Sequence, residues 1–133
     1  MLKWTIDTDC KWMSHLYITG HSLGGYLAQW VQSEMIDGAL PWVESFAVTS
    51  NAPGFNPLMK FINNGYELKV INKLVNDKLK KYDSLIINHR IKQDLVSGFG
   101  DDLGIVYHYD CKTEGFPGYH HDVKHFKEVK EVQ

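Results

Sequence analysis

At 133 residues the chain fits one domain, and 44% apolar residues with 13% aromatics are enough to build a hydrophobic core. Its 14 basic and 16 acidic residues leave a net charge of -2, which gives no electrostatic footing for nucleic acid. Cys10 and Cys111 form neither a disulfide framework nor a zinc-ribbon spacing, no stretch approaches the roughly 20 apolar residues of a membrane span, and MLKWTIDTDC lacks the apolar core of a signal peptide, so a cytoplasmic location is the expectation.

In chain order, Leu16 to Thr19 reads as a buried strand. A helix follows from Leu23, with Leu27, Val31 and Met35 at i, i+4, i+8 and Ala28 beside them, closed by Asp37-Gly38 and Pro41. Glu44 to Thr49 is a second strand, ended by the turn-forming SNAPGFNP. From Pro57 to Tyr82 the period is helical, interrupted at Asn63-Asn64-Gly65. SLIINHRI from Ser84 is a third strand, a glycine-rich loop spans Ser97 to Gly104, and IVYHY from Ile105 is a fourth. The loop DCKTEGFPGYH then leads to an expected amphipathic C-terminal helix with Val123, Phe126 and Val129 on one side. Strands alternating with helices predict an α/β fold, a mainly parallel sheet of about four strands with flanking helices.

Gly20-His21-Ser22-Leu23-Gly24 matches G-x-S-x-G, set between a predicted strand and a predicted helix. In that setting the glycines leave room around a strained turn, the serine is lifted above the sheet, and the Leu23 N–H at the helix start can serve as an oxyanion donor. The competing reading is a serine N-cap followed by small packing residues.

With ITGHSLGGYLAQ the chain resembles the α/β-hydrolase superfamily, and within it the class 3 lipases and related bacterial lipase-like hydrolases. SFAVTSNAPGF stands where those lipases carry the strand and loop after the elbow, and departs from their pattern at several positions. The resemblance implies a serine hydrolase of carboxylic esters, with a Ser-Asp-His triad in that chain order, an ester or lipid as substrate and no cofactor or metal. The order places the acid after the second strand beyond the elbow, at Asp94, with Asp101 and Asp102 as fallbacks. It places the base in the stretch before the last helix, at His121 in HDVKHF, with His120 and His125 as alternatives. His21 is read as a local structural residue, and Phe55, Phe99, Phe116 and Tyr119 as candidates for an apolar acyl pocket. A rival constellation, His108, Cys111, His121 and His125, could in principle hold zinc.

The 15 residues before Leu16 cannot supply the strands that precede the elbow in a complete hydrolase domain, because a β-α-β unit alone takes about 30 residues. The resemblance therefore covers the C-terminal half of such a domain, with the N-terminal strands missing and with them a second oxyanion donor. An exposed edge at the first strand predicts self-association, aided by Trp4 and Trp12. The alternative to an active hydrolase is a catalytically incompetent fragment that serves as an assembly or binding unit.

Overall fold

A computed structural model describes residues 12–55, 82–100, 103–115, 118–127 and 129–132. Among the described residues five strands, β1 (His15–His21), β2 (Glu44–Ser50), β3 (Ile86–Ile91), β4 (Ile105–Cys111) and β5 (Val129–Val132), form one sheet in sequential order. The first four run parallel and β5 is antiparallel to β4. Among the described residues one α-helix, α1 (Leu23–Ile36), connects β1 to β2 and packs on both. Most of the helical pattern expected from Pro57 to Tyr82 lies outside the described residues, as do Trp4, Cys10, Asp101, Asp102 and Phe116. Among the described residues no helix is long and apolar enough to cross a membrane.

Parallel pairing fixes which ends of the strands meet. Thr19, Gly20 and His21 pair with Val48, Thr49 and Ser50, so β1 continues past Thr19 to the edge of the serine turn. Loops leaving the C-terminal ends of β1, β2 and β3 gather at one end of the sheet, the end where ligands bind in α/β folds. Buried side chains of Ala47, Phe55, Tyr82, Ile86 and Leu103 make one apolar cluster, and Met35, Leu40 and Val43 make a second under α1. Within the first, burial and then the neighbouring Asp37 hold the Tyr82 phenol above its ordinary pKa. Polar links cross the sheet interior as well: Thr49 Oγ1 donates to Asn88 Oδ1 at 2.6 Å, and Asn88 Nδ2 donates to the Leu103 carbonyl at 2.7 Å.

The helix from Leu23 forms as expected, with a buried face that its apolar period marks only in part. The buried face of α1 is Gly25, Ala28, Gln29, Gln32, Ser33 and Met35, while Leu27 is half exposed and Val31 only partly covered. The reason is spacing: the helix sits so close to the sheet that small residues and hydrogen-bonding amides are what fit. Gln29 Nε2 donates to the Pro53 carbonyl and its Oε1 accepts the Phe55 N–H, while Gln32 Nε2 reaches the Ser45 and Leu85 carbonyls. One expectation is corrected at the C-terminus, where a 3-10 turn (Val123–Lys127) and strand β5 replace the expected amphipathic helix. Asp122 Oδ1 accepts the Lys124 N–H at 2.9 Å, a local turn that competes with helical bonding and holds the exposed carboxylate below its ordinary pKa. His125, not Val123, is the buried member of the turn, packed against the Tyr119 ring at 4.3 Å.

Candidate active site

Ser22 occupies the corner between β1 and α1 with φ 56 and ψ -127, outside the regions a serine prefers. Such a conformation costs on the order of 1–3 kcal/mol and has to be held by its surroundings. The Ser22 N–H donates to the Ser50 carbonyl at 3.1 Å, and its own carbonyl accepts the Tyr26 N–H at 3.1 Å, so both flanks of the corner are fixed. A Cβ at Gly20 would run into the Gly24 carbonyl and the Gly25 nitrogen, and one at Gly25 into the Ala52 side chain and, at 3.0 Å, the Gly20 carbonyl. A Cβ at Gly24 would meet nothing within 4 Å. The close approaches that admit the turn are thus at Gly20 and Gly25, not at both glycines of G-x-S-x-G. Gly20→Ala is expected to lower stability by about 1–3 kcal/mol through overpacking, and Gly24→Ala to leave it nearly unchanged; equal melting temperatures for the two variants would contradict this.

Asp94 follows β3 in a short turn that continues into a 3-10 segment (Val96–Gly98). Its side chain is fully buried, and a buried carboxylate has to be satisfied by donors. Oδ1 accepts the Val96 N–H at 3.1 Å, Oδ2 accepts the Ser97 N–H at 3.2 Å, and both face His121 Nδ1 at 3.1 and 3.0 Å. Because the carboxylate only accepts, Nδ1 of His121 carries the proton and Nε2 is left as an acceptor. Ser22 Oγ lies 2.6 Å from that Nε2, so the hydroxyl donates to it. The structure therefore brings Ser22, His121 and Asp94 into one hydrogen-bonded run. The Leu23 N–H, first in α1, falls outside the helical i to i−4 ladder and sits beside the serine at the positive end of the helix.

The alternatives fall elsewhere. His120 is buried and donates through Nε2 to the Thr113 carbonyl at 2.6 Å, away from Ser22. His125 belongs to the aromatic packing described above. Among the described residues no three His, Cys, Asp or Glu side chains gather as metal ligands, and the four residues of the zinc constellation are dispersed: His121 is engaged with Ser22 and Asp94, and His108 is exposed on β4. Of the four aromatics read as a candidate acyl pocket, Phe116 lies outside the described residues and the other three are placed as follows. Phe55 packs edge-on beneath Tyr26 and beside Trp30 in the core, Tyr119 lies on His120 and His125, and Phe99 is exposed.

Two residues close to the run carry no sequence expectation of this kind. His21 Nε2 donates to the His121 carbonyl at 2.6 Å, with the two rings 4.9 Å apart. Asn51 Nδ2 lies 3.0 Å from the His120 carbonyl and 3.4 Å from that of His121.

A second serine–histidine–carboxylate run exists at the opposite end of the sheet. Ser14 Oγ is 2.8 Å from His15 Nδ1, and His15 Nε2 is 3.3 Å from Glu44 Oε2. Its histidine and glutamate side chains are 55% and 86% exposed, where such a pair contributes only about 0–1 kcal/mol. What separates the two runs is enclosure: Asp94 is buried with donors on both oxygens, and Glu44 lies in water.

No protein-family model matches the chain, and no curated protein matches it in sequence.

Proposed function

We propose that this chain is a lipase-like serine hydrolase, of the α/β-hydrolase kind, that cleaves carboxylic esters through an acyl-enzyme. The observation that carries the reading is the run from Ser22 Oγ through His121 to the buried Asp94, at 2.6 and 3.0 Å, at the strand-to-helix corner. In this reading Ser22 Oγ attacks the ester carbonyl carbon while His121 Nε2 takes its proton. Asp94 holds the imidazole in the tautomer that accepts and stabilises the imidazolium that results. The tetrahedral oxyanion develops near the Leu23 N–H; the C–O bond to the alcohol then breaks, and His121 returns the proton to the leaving alkoxide. Water attacks the acyl-enzyme by the same route, with its proton going to Nε2 and then to Ser22 Oγ as the carboxylic acid departs. No metal or cofactor enters these steps.

The test is incubation of the purified chain with a fluorophosphonate, read by intact mass and peptide mapping. Stoichiometric addition at Ser22 is the expected result, and absence of addition in a folded sample would end the proposal.

A second reading, an assembly unit with an inert elbow, is favoured by a different surface. β1 is the outermost strand of the described sheet, Tyr17 on it is 77% exposed, and Leu23, Leu27 and Trp30 form a half-exposed or more exposed apolar stripe on α1. An open strand edge beside an apolar helix face is a template for pairing with a second copy of the chain. Light scattering across a concentration series is expected to show self-association that Trp30→Glu weakens; a monomer at every concentration would exclude it. Labelling at Ser22 decides between the two readings as to chemistry, because an inert elbow gives none.

A further inference from the structure

We propose that Asn51 is the positioning residue that keeps the base turn and the acid turn in register beneath the serine, with His21 as its partner on the His121 carbonyl. Asn51 stands where β2 leaves the sheet, has no exposed surface, and holds φ 44, a left-handed conformation that asparagine tolerates better than most residues. The β2–β3 ladder ends at Ser50 and His89. Beyond it the Asn51 N–H still donates to the His89 carbonyl at 2.8 Å, and the side-chain Oδ1 takes the next acceptor place, receiving the Ile91 N–H at 2.9 Å. Ile91 in turn accepts the Asp94 N–H at 3.0 Å, so this bond anchors the turn that carries the acid.

The other end of the same amide serves the base. Since Oδ1 faces an N–H, the NH2 faces the His120 and His121 carbonyls, and the orientation of the amide follows from its partners. His21 reaches the His121 carbonyl from the elbow side at 2.6 Å. Next door, the Ser50 carbonyl receives the Ser22 N–H. One dipeptide at the end of β2 is therefore bonded to the segments bearing all three members of the run. A drift of the His121 carbonyl would disturb both the Nε2 contact to Ser22 and the Nδ1 contact to Asp94.

The inference rests on the serine-hydrolase reading for its kinetic effect, and a spectroscopic readout keeps the two separable. Asn51→Gly accepts the positive φ without strain and deletes the amide. Asn51→Asp keeps the acceptor for Ile91 but turns an oxygen toward two carbonyls. In both, the limiting rate of fluorophosphonate inactivation is expected to fall about a hundredfold, the scale of a misplaced reacting group, with the probe's initial binding constant held. By NMR, the downfield proton on His121 Nδ1, assigned by its loss in His121→Ala, is expected to broaden or vanish in Asn51→Gly. If native protein is not labelled, the hydrolase reading fails and the Nδ1 proton alone judges the positioning role. A folded Asn51→Gly with an unchanged Nδ1 proton overturns the inference, as does one with an unchanged inactivation rate. Should Asn51→Gly not fold, His21→Phe, which keeps a ring beside His121 but removes a donor, decides: about tenfold slower labelling supports the clamp, and native behaviour overturns it.

Discussion

Replacing His121 by alanine is expected to lower kcat on a soluble ester by on the order of 10⁶, the loss that follows removal of the base from a serine-hydrolase triad. Among the described residues the neighbouring histidines are engaged elsewhere. His120 is turned toward the Thr113 carbonyl, and Nε2 of His21 is committed to the backbone of residue 121 itself. The substitution keeps that carbonyl, so the contacts from Asn51 and His21 survive and the melting temperature is expected to stay close to native. Turnover and thermal unfolding measured on the same preparation separate lost chemistry from lost fold. Activity within tenfold of native in a folded His121→Ala protein would remove His121 from the mechanism.

Asp94→Asn is expected to cost about 10⁴ in kcat, with KM little changed, for a reason visible in the donor set. Three donors, from Val96, Ser97 and His121, converge on the two carboxylate oxygens. An amide has one oxygen for them and brings two donors of its own, so one donor ends facing another. If the amide NH2 turns to His121, the imidazole proton moves to Nε2 and the ring presents a donor where Ser22 needs an acceptor. In either orientation the NH2 also takes the place of a backbone acceptor, that of the Val96 N–H or that of the Ser97 N–H, a penalty of about 1–3 kcal/mol. Ester kinetics beside a denaturation curve measures both effects. An Asp94→Asn protein with native kcat would show that the carboxylate holds only the turn.

Much of the positioning frame is legible in the sequence because it is locally encoded. Apolar runs bounded by turn residues mark β1 to β4, and the glycines around Ser22 mark the corner. Chain order, taken from the resemblance, leads to Asp94 after β3 and His121 after β4. The C-terminal error has a physical origin: Val123, Phe126 and Val129 fit a helical period, but the Asx turn at Asp122 and the burial of His125 divert the chain, and Val129–Val132 completes the sheet instead. On α1 the apolar period marks the helix but only part of its buried face, because close packing on the sheet selects Gly25, Ala28 and two glutamines. Asn51 and His21 leave no distinct trace in one sequence. An asparagine in SNAP reads as a loop former, and the reach of its short side chain to two other turns is a property of the assembled sheet.

The all-parallel pairing of β1 to β4 also bears on how the molecule comes into being. Parallel neighbours cannot be joined by tight hairpins, so each pairing waits on a crossover, and such non-local topologies fold slowly. Ser22 and His121 are 99 residues apart along the chain, and His121 and Asp94 are 27 apart. An isolated helix equilibrates in about a microsecond, yet Ser22 meets His121 only after β2, β3 and β4 between them have docked. In a refolding chain, labelling at Ser22 would therefore lag behind helical signal and report that β2 to β4 have docked.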